Sequence, residues 1–114
     1  MRLTFVQLSP FADKWRKLGL TDDDLAALES ILLADPEAGS VMAGTNGLRK
    51  VRFAPPSWRT GKSGATRVCY VHIAVADVIY FVTFFAKSEK ANLTAAERNK
   101  MRALLVRIRA RHAK

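Results

Sequence analysis

The sequence predicts an α+β fold: an antiparallel sheet with two helices ahead of it and one behind, in the order β-α-α-β-β-β-α. Three observations carry this expectation. Two amphipathic segments, each with its own start and stop signals, fill residues 9–36. Three runs rich in β-branched and aromatic residues follow between 47 and 86, and a capped, cationic helix closes the chain after Thr94. With 114 residues, 49% of them hydrophobic and 25% charged, the chain supports one modest core and reads as a single domain, 1–114.

The elements follow in order. Residues 3–8, "LTFVQL", suit a short first strand. In "SPFADKWRKLG", Ser9 is the expected N-cap, Pro10 the first helical residue and Gly19 the stop, with Phe11, Trp15 and Leu18 on one stripe. In "TDDDLAALESILLADP", Thr21 caps, three aspartates sit at the positive end of the dipole, and Pro36 terminates. Leu25, Leu28 and Leu32 form its apolar face.

"GLRKVRFA" (47–54) alternates, which puts Leu48, Lys50 and Arg52 on one face and Arg49, Val51 and Phe53 on the other. "PPSWRTGKSG" is a loop. "ATRVCYVHI" (65–73) and "VIYFVTFFA" (78–86) are strands joined by "AVAD", and the second is apolar on both faces, as an interior strand requires. The last helix has a Thr94–Glu97 capping box, an apolar stripe of Met101, Leu104, Leu105 and Ile108, and cationic remaining faces.

The charge is unusual for so small a domain. Nineteen Lys and Arg against ten Asp and Glu give +9 and a pI near 10.3. Residues 1–37 hold four cations and seven acids, and residues 38–114 fifteen and three, so the halves carry −3 and +12. No carboxylate stands between Glu37 and Asp77. A basic face of this kind points to a polyanionic partner. The lone Cys69 excludes an intrachain disulfide and a cysteine-cluster zinc site. "MRLTFVQLSP" lacks the apolar core of a signal peptide, so the expected location is cytoplasmic.

Lys50 and Arg52, two apart on a strand, are roughly 7 Å from each other on one face, near the spacing of phosphates in a single strand. Arg67 on the next strand is placed to reach the same surface. The acids are too few, and too concentrated in the first third, for a two-metal nuclease. RNA cleavage would then use the 2′-OH as internal nucleophile, with no cofactor, and cations would stabilise the transition state. Proton transfer would fall to His72, mid-strand and more naturally a satisfied core group, or to His112 near the chain end, or to a lysine such as Lys50 or Lys87. Trp58 is either a base-stacking residue or a loop anchor.

"GTNGLRKVRF", "GKSGATRVCYV" and "FFAKSEKANLTAAER", in this order, resemble the HigB-type branch of the RelE/ParE superfamily of toxins from bacterial type II toxin–antitoxin systems. The resemblance runs from about Thr21 to Leu105. It implies a RelE/HigB-like toxin domain that cuts mRNA in the ribosomal A site without metal. It also implies a helix-turn-helix antitoxin of the HigA type. By position, the family's basic residues fall on Lys50, Arg52, Arg67 and Lys87 as the catalytic set. Arg49, Arg59, Lys62 and Phe85 are then the candidates for RNA or ribosome contact. Phe85 and Ala86 stand where the family commonly has tyrosine and glycine. The competing readings are a non-enzymatic ParE-type inhibitor of DNA gyrase and a non-catalytic RNA-binding relative.

Overall fold

A computed structural model describes residues 2–58, 65–87, 89–90 and 92–113. Five strands form one sheet: β1 (Thr4–Gln7), β2 (Ser40–Val41), β3 (Arg49–Phe53), β4 (Thr66–Ile73) and β5 (Val78–Ala86). Three helices accompany it, α1 (Ser9–Lys17), α2 (Asp22–Ala34) and α3 (Ala95–His112). The spatial order is β1-β5-β4-β3-β2. The expected α+β class and the order of the main elements are found. The sheet is antiparallel except at one edge, where β1 runs parallel to β5. β2 is an added two-residue strand, too short to leave a period in the sequence.

Local chemistry accounts for the helix ends. α2 and α3 both begin with reciprocal capping boxes, Thr21 with Asp24 and Thr94 with Glu97. α1 differs from expectation: Leu8 is the N-cap, without a side-chain bond, and Ser9 lies inside the first turn with Pro10. Proline already lacks the N–H that a cap would satisfy, which lessens the need for one. Asp24 is a buried carboxylate with a second task, accepting from the Ser57 N–H at 3.0 Å and its hydroxyl at 2.6 Å. Burial alone would push its carboxyl up; the bonds from Ser57 and Thr21 outweigh that and hold it below the usual carboxylate range. It thereby fastens the segment after β3 to the start of α2. Trp58 packs against the core beside it, as a loop anchor.

The sheet separates two apolar layers. On the α1/α2 side lie Phe11, Trp15, Leu28, Leu32, Val51, Phe53, Val68, Tyr70, Phe81 and Phe84. On the α3 side lie Leu48, Cys69, Val71, Tyr80, Val82, Phe85, Leu105 and Ile108. Strict alternation along β5 would put Phe81 and Phe85 on the same face. They are on opposite faces because of an irregularity: Tyr70 pairs with Phe81 and Cys69 with Thr83, so Val82 has no partner on β4. This bulge resets the phase of the strand. Phe81 and Phe84 both face α1, and Phe85 turns to the α3 side beside Arg67.

The hairpin from β2 to β3 needs left-handed backbone at three positions, Gly44, Asn46 and Gly47, with φ of 75°, 62° and 102°. Gly39, just before β2, is required for a different reason. A Cβ there would meet the Lys50 carbonyl oxygen at 2.8 Å and the Tyr70 ring at 3.0 Å. The close approach of this segment to β3 positions Ser40 opposite Lys50.

Candidate functional site

The register of the sheet assembles a cationic pocket. Lys50 pairs across the strands with Ser40 on one side and Cys69 on the other. Arg52 lies directly opposite Arg67, and Arg67 opposite Phe85. All of these are on the α3 side of the sheet, where Ser40, Lys50, Arg52 and Arg67 line an open pocket of about 340 Å³. Two arginines facing each other across a sheet repel and cost stability. Among the described residues, none of the three cations makes an ion pair. Arg67 Nη1 is buried and has no hydrogen-bond partner among the described residues. A buried guanidinium N–H without an acceptor is a costly group.

The surroundings refine what this pocket can do. Phe85 is 1% exposed, so its expected contact with RNA or the ribosome is corrected: the ring is a core residue beneath the pocket. Lys90 Nζ sits 5.4 Å above that ring and pairs with Glu97 of the α3 capping box. The hydrogen bonds from Lys90 and from the Thr94 N–H hold Glu97 below its ordinary range. Cys69 lies on the same face, but burial pushes its thiol up to about 12, and Lys50 and Lys90 offset this only in part. It is therefore a neutral thiol at physiological pH, not a nucleophile. Among the described residues, no three His, Cys, Asp or Glu side chains gather as a metal-ligand group.

Several expected site residues are elsewhere. Arg49 points to the α2 side, where it donates to the Gly39 carbonyl at 2.7 Å and lies 3.7 Å from a Glu37 carboxylate oxygen. It holds the approach to β2 and is not part of the basic pocket. His72 is on the α2 side as well, with Nδ1 3.9 Å from Glu37. His112 shares a 2.7 Å hydrogen bond with the Tyr80 hydroxyl at the other end of α3. Neither histidine lines the pocket. Lys87 is exposed at the exit of β5 and does not line it either. Arg59 and Lys62 lie outside the described residues. Ser40 and Lys90 escaped the sequence reading, Ser40 because a two-residue strand has no pattern, and Lys90 because its place depends on the turn after β5.

Comparison with solved structures bears on the arrangement as a whole. A structure of the E. coli toxin RelE in the free state, carrying two arginine-to-alanine substitutions, superimposes with a TM-score of 0.56. The match covers 88% of this chain and 97% of that one at 18% identity. The fold is that of RelE. A chain of the intact E. coli RelBE toxin–antitoxin complex also matches, with a TM-score of 0.52 at 17% identity over 74% of this chain and 95% of that one. No protein-family model matches the sequence. On this RelE-like frame, Lys50, Arg52 and Arg67 converge from two adjacent strands onto one open patch, beyond the part of the sheet that α3 covers.

Proposed function

We propose that this protein is the toxin of a type II toxin–antitoxin pair, of the HigB-type branch, acting in the cytoplasm as a ribosome-dependent, metal-independent mRNA endoribonuclease. The observation that carries this reading is the pocket itself: three cations on adjacent strands, two of them directly opposed, with no carboxylate among the described residues that line it. Repulsion that is left uncompensated in the free protein becomes favourable once a phosphate enters.

The reaction that suits the pocket is internal transesterification. The RNA 2′-oxygen attacks the adjacent phosphorus and gives up its proton, the bond from phosphorus to the 5′-oxygen breaks, and that oxygen takes a proton. The products are a 2′,3′-cyclic phosphate and a 5′-hydroxyl. Arg52 and Arg67 stabilise the charge that builds on the non-bridging oxygens. Arginine remains charged throughout the physiological range, so of the three cations only Lys50 can exchange a proton. Lys87, two residues beyond Phe85, is the candidate second group for proton balance. The partners are mRNA in the ribosomal A site and a HigA-type helix-turn-helix antitoxin.

One observation favours a second reading, RNA binding without cleavage: among the described residues, no imidazole, carboxylate or phenol lines the pocket. Induction in a bacterial host, with mapping of transcript 5′ ends relative to reading frame, separates the alternatives. New ends confined to translated regions are expected. Intact transcripts on stalled ribosomes would establish the binding-only reading, and a DNA-damage response that precedes translational arrest would establish gyrase inhibition.

A further inference from the structure

A second pocket, of about 280 Å³, adjoins the first. The two share Ser40 and Lys50, and the second continues along the end of β2 to Asn92 and Arg98, just before and within the first turn of α3. Each is at or below the small end of ligand sites. Together they form a track from Arg52 and Arg67, past Lys50, to Arg98.

Arg98 is pinned rather than loose. Its Nη1 donates to the Ala43 carbonyl at 2.8 Å and its Nε lies 3.5 Å from the Leu93 carbonyl. Nη2 makes no hydrogen bond, and the guanidinium no ion pair, among the described residues. A guanidinium fixed in this way loses little freedom when it binds an anion. Asn92 accepts the Leu93 N–H on its Oδ1 at 2.9 Å, which fixes the sense of the amide and leaves its NH₂ group to donate. The Ser40 hydroxyl adds a third polar group, and no carboxylate lines the pocket among the described residues.

We propose that this second pocket is a subsite for the nucleotide adjacent to the scissile one on the same RNA strand. Arg98 and Lys50 hold its phosphate, and Asn92 and Ser40 hydrogen-bond to its sugar or base. The proposal rests on the phosphate-binding role of the first pocket argued above. It adds that the protein grips two consecutive nucleotides, with the strand passing along the end of β2 toward α3.

The test titrates the full chain at low salt with 2′-O-methylated oligonucleotides, which cannot be cut through the 2′-OH, followed by NMR to reach weak affinities. The probes are a dinucleotide and a tetranucleotide. The expected result is that wild type binds the longer probe about tenfold more tightly, the scale of one charge-assisted contact. In Arg98→Gln this length advantage falls to about one, and the slope of log K against log salt for the longer probe drops by about 1. Asn92→Asp, which keeps the acceptor for the Leu93 N–H but adds a negative charge, removes the same advantage without touching the Arg98–Ala43 bond. A length advantage that survives in both variants, or that is absent in wild type, overturns the subsite. Binding of the dinucleotide that is unaffected by Arg67→Ala overturns instead the first pocket on which the subsite depends, and binding of neither probe overturns both.

Discussion

Arg67→Ala is expected to abolish the growth arrest that the proposed toxin activity would cause on induction, and to leave the chain folded. Arg67 stands opposite both Arg52 and Phe85, at the centre of the cationic patch, and carries a buried Nη1 without an acceptor among the described residues. Losing one donor that acts on transition-state charge typically costs on the order of 10²–10³ in rate. The fold should not suffer, because the substitution relieves the repulsion between opposed arginines and breaks no ion pair among the described residues. Growth curves after induction, with far-UV circular dichroism and thermal melts of the purified variant, check both halves. An Arg67→Ala protein that remains fully toxic removes this residue from the chemistry.

Phe11→Ala has the largest expected effect on stability. Phe11 is fully buried and stacks on Trp15 with centroids 5.2 Å apart and on Phe81 at 5.0 Å, with Phe84 edge-on at 5.2 Å. Truncating a buried phenylalanine costs about 3–5 kcal/mol through lost transfer energy and the cavity left behind. Against a total of about 5–15 kcal/mol for a domain of this kind, that leaves a marginal fold. Urea titration should show a much lower midpoint with an unchanged slope. A loss under about 1 kcal/mol would mean that the aromatic cluster is not packed as described. The cluster also bears on the site, since Phe81 and Phe84 can face α1 together only because of the bulge that turns Phe85 toward Arg67.

Patterns that act over a few residues were legible in the sequence. Thr21, Thr94 and Glu97 signalled their caps directly, and the alternation of β3 separated Lys50 and Arg52 from Val51 and Phe53. The grouping of Lys50, Arg52 and Arg67 in one pocket followed from that alternation and from the missing carboxylates. What escaped depends on partners distant in the chain. The unpaired Val82 appears only when β5 is laid against β4, so the burial of Phe85 under Lys90 had no local sign. Arg49 looked as available as Lys50 until the chain before β2 brought Glu37 and Gly39 onto it. The parallel pairing of β1 with β5 is likewise a product of topology, because a four-residue strand carries no mark of its direction.

If the cations of this pocket drive cleavage by the RNA 2′-hydroxyl, the chemistry of the product ends will record it. The most direct test adds the purified protein to a reconstituted translation reaction with a defined mRNA and identifies the chemical ends of the products. Cleavage is expected only while the message is being translated, leaving a 5′-hydroxyl on the downstream fragment and a 2′,3′-cyclic phosphate on the upstream one. Downstream fragments with 5′-phosphates, or a message that stays whole, would contradict it.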